Sequence, residues 1–210
     1  MQKYAFRGAG MIKNLLFDCS DTLLRLHCKA DLANLLGDPE RAERIHNAFF
    51  RSETWGEYDN GFLTDAEMKS RMLPLFDPED RAIAEAYFDT FTEHYTPIAG
   101  MYELLSELKE KGYRLYIVSD FPPRFTRLWE KYEIFRLFDG RAVSFEAHGS
   151  KQDLRLFSYL LETYGLRACE CFFVDDRADL VANAASCGID GHAFADAADL
   201  RDCLVKQSIL

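Results

Sequence analysis

The chain has 210 residues, with 25 basic against 35 acidic side chains, giving a formal net charge of −10. With 48% hydrophobic residues and only 12 Gly and 6 Pro it is neither disordered nor fibrous, and its length suits one domain or a core with a modest insertion. The acidic excess, with no basic patch, excludes non-specific binding to nucleic acid or anionic lipid. In chain order, residues 1–10 (MQKYAFRGAG) are read as a tail with no apolar signal-peptide core. Ile12–Phe17 (IKNLLF) is a short apolar run that ends on an acidic, hydroxyl-rich turn, the pattern of a buried central strand. From about Lys29 to Tyr95 the pattern is helical, with turn signals at Gly37-Asp38-Pro39, Asp59-Asn60-Gly61 and Asp77-Pro78 and no evident strand.

After Pro97 helices and strands alternate. Met101, Leu104, Leu105 and Leu108 share one helical face, Gly112 ends that helix, and Tyr113–Val118 reads as a strand. A helix from about Pro122 to Tyr132 leads to a strand near Ala142–Phe145. A second helix, from about Lys151 to Tyr164, leads to the strand Cys171–Val174. A third, from about Ala178 to Cys187, leads to a strand near His192–Phe194 and a terminal helix. This alternation predicts an α/β fold, a Rossmann-like parallel sheet with helices on both faces and an all-helical insertion after the first strand. The expected division is a core of residues 11–26 and 97–210 and a helical cap of residues 27–96.

No apolar run approaches the ~18 residues of a membrane span, and a cytoplasmic location is expected. The six cysteines, Cys19, Cys28, Cys169, Cys171, Cys187 and Cys203, have neither CxxC nor zinc-site spacing and are read as reduced and mostly buried.

In an open parallel sheet, ligands bind at the carboxyl ends of the strands. Here those ends carry Asp18, Ser119-Asp120 and Asp175-Asp176, while Lys151 is expected to open the helix after the third strand. Facing acidic clusters repel unless a cation sits between them, and oxygen-only ligands suit magnesium. A hydroxyl and a lysine on the same rim suit a phosphoryl group.

The segments FDCSDTL (Phe17–Leu23), IVSD (Ile117–Asp120), SKQD around Lys151 and FFVDDRAD (Phe172–Asp179) resemble, in order, the four motifs of the haloacid dehalogenase superfamily, mostly magnesium-dependent phosphatases. The resemblance implies Asp18 as nucleophile, Thr22 in the threonine position of the first motif, and Ser119 as the phosphate-binding hydroxyl beside Asp120 and Lys151. It implies Mg2+ held by Asp18, the carbonyl of Ser20 and Asp176, with Asp175 behind them. The insertion falls where one subgroup carries a helical cap. The family's usual acid/base aspartate is replaced by Ser20, whose hydroxyl does not ionise near pH 7. Neighbouring Asp21 is a candidate for a displaced acid/base and, equally, for a simple turn residue.

A subgroup of bacterial sugar-phosphate phosphatases matches more closely, through its non-acidic residue at the Ser20 position, the Asp175-Asp176-Arg177 sequence and a short cap, although Leu180 stands where that subgroup often has Asn. In the cap, Trp55, Glu57 and Tyr58 are candidates for stacking on and hydrogen-bonding a sugar; packing inside the cap is the alternative for the two aromatic rings. His148 is near enough to Lys151 to reach the site or to lie on the surface. The resulting expectation is a phosphatase for a small phosphate monoester, with a glucose-1-phosphate-like sugar phosphate as the model substrate. The alternatives are a metal-independent haloacid dehalogenase and an impaired member that binds a phosphorylated ligand.

Overall fold

The four residues of β1 (Asn14–Phe17) are all buried, because both faces of the strand are covered. Leu16 packs into one apolar cluster, and Leu15 and Phe17 into another. This computed structural model describes residues 11–210, so the tail expected at residues 1–10 lies outside the described residues. After β1 the chain forms β2 (Leu24–Leu26) and then five helices: α1 (Cys28–Leu36), α2 (Pro39–Phe50), α3 (Glu53–Asp59), α4 (Asp65–Met72) and α5 (Arg81–Thr90). It returns on β3 (Tyr95–Pro97), which pairs antiparallel with β2. The remainder alternates: α6 (Met101–Glu110), β4 (Arg114–Ser119), α7 (Phe125–Lys131), β5 (Gly140–Val143), α8 (Ser144–Ala147), α9 (Arg155–Tyr164), β6 (Cys171–Asp175), α10 (Ala178–Ser186), β7 (Asp190–Ala193) and α11 (Ala197–Lys206).

The five core strands form one parallel sheet in the order β5-β4-β1-β6-β7. The chain winds outward from β1 in both directions, which opens a crevice at the carboxyl ends of β4, β1 and β6. Leu104 and Leu108 of α6, Leu128 of α7, Leu200 of α11 and the helical insertion share one apolar cluster. Leu156 and Leu160 of α9 and Leu180 and Ala184 of α10 cover the other face.

Local chemistry sets the ends of the inserted helices. Asp38 caps α2 ahead of Pro39, and Thr64 and Glu67 close a reciprocal capping box on α4. Their inner surface is aromatic: Phe49, Phe50, Trp55, Tyr58, Phe88 and Phe91 stack edge to face and tilted around one another.

The β2–β3 ribbon, three residues per strand, is too short to show a period and flanks the stretch read as helical. Two expectations are corrected. β5 ends at Val143, because Ser144 begins α8. Lys151 does not open α9; it sits in the preceding loop, and Leu154, at φ 67°, breaks the helix before Arg155. Cys19, Cys28 and Cys171 are buried, Cys187 and Cys203 half-buried and Cys169 exposed, all as free thiols. Among the described residues no helix is long and apolar enough to cross a membrane.

The insertion also holds the half-buried His46. Tyr87 gives its proton to Cys28 Sγ at 3.0 Å, so His46 Nδ1 donates to the Tyr87 oxygen at 2.7 Å. Burial, then the charges of Lys29 and Arg51, push the His46 imidazole down from 6.5 to about 4. The unfolded chain takes up this proton near pH 6.5 and the folded chain only near 4, so stability is held above that window and lost as the pH falls through it. A His46→Gln variant is expected to show a shallower loss of melting temperature across that range. The same slope in both proteins would contradict the assignment.

Candidate active site

The sheet register brings the chemistry together. Phe17 pairs with Ile117 on one side and Val174 on the other, so Asp18, Ser119 and Asp175 stand at adjacent strand ends, with strands about 4.8 Å apart. The Asp18 N–H is fixed by the Val174 carbonyl at 2.9 Å. Beyond it, a tight turn forms as the N–H groups of Leu23 and Leu24 both bond to the Cys19 carbonyl at 3.0 Å. Asp21 takes the left-handed conformation that turn needs, at φ 57°.

Lys151 is the centre of the site. Its Nζ donates to Asp18 Oδ1 at 2.6 Å and to Asp175 Oδ2 at 2.7 Å, and its backbone N–H donates to Asp120 Oδ1 at 2.9 Å. The side chains of Lys151, Asp18 and Asp175 are 4%, 6% and 1% exposed, so these charges interact in a region of low dielectric. Burial alone would lower the ammonium's pKa, but Asp18, Asp175 and Asp120 outweigh it and hold the group above its ordinary value. Burial raises Asp18 to about 7; Lys151 opposes the rise, and the charges of Asp175 and Asp176 add to it. Asp120 is raised by burial, and Asp176 by burial and then by Asp175 and Asp21. Ser119 Oγ and Thr22 Oγ1 are buried and have no hydrogen-bond partner among the described residues.

The carboxylates around Lys151 outnumber its single positive charge, so the site is short of positive charge. Among the described residues no three His, Cys, Asp or Glu side chains converge as a ready-made cage. The donor set suits magnesium, which is ordinarily held by one or two carboxylates and retains several waters. Asp18, exposed Asp176 and the Ser20 carbonyl would supply the protein's share.

Ser20 Oγ lies 3.0 Å from the Tyr95 hydroxyl, which comes from β3 at the base of the insertion. This is the only partner of the Tyr95 hydroxyl among the described residues, and either oxygen can supply the shared proton. Tyr95→Phe is expected to cost about 1 kcal/mol in urea denaturation, the usual net worth of such a bond. No measurable change would mean that Ser20 is positioned without it.

Other expected site residues lie elsewhere. Tyr58 is fully buried; its hydroxyl donates to Asp65 and accepts from Arg124 Nε at 3.2 Å. Trp55, 7% exposed, is packed against Phe50 with ring centroids 4.2 Å apart. Both rings belong to the insertion's core, which corrects the reading that they face a sugar. Glu57 is exposed and paired with Arg71 at 2.7 Å. Asp21 is paired with Arg25 at 3.2 Å. Leu180 packs under the sheet with Leu16 and Phe173. His148 donates from Nδ1 to the Asn60 carbonyl at 2.9 Å and stacks on exposed Phe62.

Sequence reasoning missed Arg124. It follows the β4 carboxyl end, yet its buried guanidinium reaches into the insertion, bonding to the Phe88 and Asp89 carbonyls and to the carboxylates of Asp65 and Asp89. A lone Arg after Pro122-Pro123 carries no pattern that would have revealed this.

The model of haloacid dehalogenase-like hydrolases matches residues 12–188, which include Asp18, Ser119, Asp120, Lys151, Asp175 and Asp176. The chain belongs to the haloacid dehalogenase-like hydrolases. It is 30% identical to a sesquiterpene phosphatase of Aspergillus oryzae over 84% of this chain and 89% of that protein. A glyceraldehyde 3-phosphate phosphatase of Pyrococcus abyssi is 29% identical over 80% of this chain and 74% of that one. Among solved structures, a haloacid dehalogenase-like enzyme of Bacteroides thetaiotaomicron, in complex with magnesium and inorganic phosphate, superposes with a TM-score of 0.68 at 21% identity, covering 88% of this chain and 95% of that one. As a haloacid dehalogenase-like hydrolase, the protein is an enzyme whose relatives include phosphatases.

Proposed function

We propose that this haloacid dehalogenase-like hydrolase is a magnesium-dependent phosphatase for a small phosphate monoester, with sugar phosphates the substrate class, working through an aspartyl-phosphate on Asp18. The observation that carries the proposal is the Lys151 ammonium bonded to both Asp18 and Asp175 beside the unpartnered hydroxyl of Ser119. Ser119 Oγ and Lys151 Nζ bind the phosphoryl oxygens, and a carboxylate oxygen of Asp18 forms the new bond to phosphorus as the bond to the leaving oxygen breaks. Water then attacks phosphorus and breaks the bond to Asp18, which releases phosphate and restores the carboxylate. Magnesium would be held by Asp18, Asp176 and the Ser20 carbonyl, and would supply positive charge that favours ionised Asp18 and offsets its repulsion of phosphate.

Ser20 is a hydrogen-bond donor and not an acid, so the leaving oxygen takes its proton from solvent. Leaving groups that tolerate negative charge therefore suit the site, among them the anomeric oxygen of a sugar. The relative named for glyceraldehyde 3-phosphate supports a hydroxylated substrate.

The test is phosphate release from sugar and alkyl phosphates, with magnesium and with chelator, by wild type and Asp18→Asn. Release is expected only from wild type with magnesium. Equal release by the two proteins, or indifference to chelator, overturns the proposal.

A second reading takes an apolar leaving group. The relative named for sesquiterpenes supports it, together with a groove of about 480 Å³ between α1 and α5 lined by Leu32, Leu35, Ile83 and Ala86. None of Asp18, Ser119 or Lys151 lines that groove, so the first reading is preferred.

A further inference from the structure

We propose that Tyr95 is a positioning residue that aims the Ser20 hydroxyl at the leaving oxygen, so that Ser20 donates a hydrogen bond to that oxygen as it departs. The assignment rests on the phosphatase reading and gives the base of the insertion a part in the reaction. Ser20 lies just beyond Asp18. Cys19, between them, is buried in the apolar cluster of Leu15 and Phe17, whereas Ser20 is only half-buried. The Ser20 backbone bridges to Leu24, the first residue of β2, and its Oγ lies 3.0 Å from the Tyr95 hydroxyl on β3. Backbone and side chain of Ser20 are thus tied to the same ribbon. Tyr95 is itself fixed: its backbone pairs with Leu26, its carbonyl accepts the Tyr132 hydroxyl, and its ring centroid lies 5.9 Å from that of Phe121, the residue after Asp120.

A hydroxyl has one proton to give and lone pairs that accept. In the free protein either oxygen of the pair can supply the shared proton. A leaving oxygen that gains negative charge sets the direction: Ser20 turns its own proton to that oxygen, and Tyr95 donates to Ser20 Oγ. No proton changes owner, since solvent protonates the leaving oxygen. Burial pushes the Tyr95 hydroxyl well above its usual range, so it keeps the proton it donates. That donation also polarises the Ser20 O–H and strengthens its bond to the leaving oxygen. Without Tyr95, no other side chain among the described residues holds Ser20 Oγ in one rotamer.

The experiment compares kcat/KM for ribose 5-phosphate, whose alkoxide leaves poorly, and nitrophenyl phosphate, whose phenolate leaves without help. The ratio of the first to the second is expected to fall about 5-fold in Tyr95→Phe, the worth of one ordinary hydrogen bond. It is expected to fall at least as far in Ser20→Ala. Adding Tyr95→Phe to Ser20→Ala should lower it no further, because Tyr95 then has nothing to aim. A merely structural tyrosine would depress both substrates alike. An unchanged ratio in Tyr95→Phe, or a further fall in the double variant, overturns the assignment.

Orthovanadate reads the same contact without turnover, because it takes the trigonal-bipyramidal shape of the transition state and puts an apical oxygen where the leaving oxygen would stand. With magnesium present, it is expected to raise the melting temperature of wild type more than those of Tyr95→Phe and Ser20→Ala, each read against its own value without vanadate. If wild type releases no phosphate while this difference persists, the phosphatase reading fails and the Tyr95 assignment stands. If the vanadate increment is absent, or equal in all three proteins, the assignment fails whatever the turnover.

Discussion

Lys151→Met is expected to abolish phosphate release and to lower stability by roughly 3–5 kcal/mol, the cost of leaving buried charges without their partner. Methionine nearly fills the volume, so the effect isolates the ammonium. Without it, Asp18 and Asp175, both almost wholly buried, lose the donor that serves them at 2.6 and 2.7 Å. Against the ~5–15 kcal/mol of a typical domain, such a loss is visible in any denaturation curve. The double variant Asp18→Asn/Lys151→Met removes one of the stranded charges together with its partner, and it should be more stable than Lys151→Met alone. That non-additivity identifies the pair as the source of the energy. A Lys151→Met protein with wild-type stability would show that the bridge is solvated in solution and contributes little.

Arg124→Met carries the second large effect, about 3 kcal/mol or more. The guanidinium is 4% exposed, whereas its carboxylate partners Asp65 and Asp89 are 40% and 42% exposed and can regain water. The cost therefore falls on the groups that cannot: the Phe88 and Asp89 carbonyls near the end of α5, each served at 2.9 Å, and the Phe88 ring, 4.2 Å below the cation. Arg124→Lys should recover little, since one ammonium cannot reproduce a planar fork spread over four residues. The measurement is chemical denaturation of the three proteins in parallel. Full recovery by lysine would mean that charge alone, without geometry, holds the insertion in place.

How much of this was legible depends on the kind of signal. Asp18, Ser119, Lys151 and Asp175-Asp176 were readable because each lies at or near the end of an apolar run or at a helix approach, and their chemistry is complementary. Composition marked Trp55 and Tyr58 as interesting but could not say which face of α3 they occupy, and they turned inward. Asp59, whose backbone carbonyl accepts from Ser144 Oγ, was visible only as part of a turn signal, because Ser144 is far away in sequence. Tyr95 and Ser20 meet for the same reason: the β2–β3 ribbon that joins them has no period to detect.

That ribbon also bears on how the chain folds. Phe17 and its sheet partner Ile117 are far apart in sequence, and their pairing must close the whole intervening loop. Once Leu26 and Tyr95 have paired, the five-helix segment between them is already a closed loop, and the path from β1 to β4 shortens to the residues outside it. By loop-closure entropy the saving is only about 1 kcal/mol, but it falls on the step that joins the two halves of the sheet. The shortest strands among the described residues thus act as a splice: they let the core assemble around an insertion as though the insertion were a brief turn.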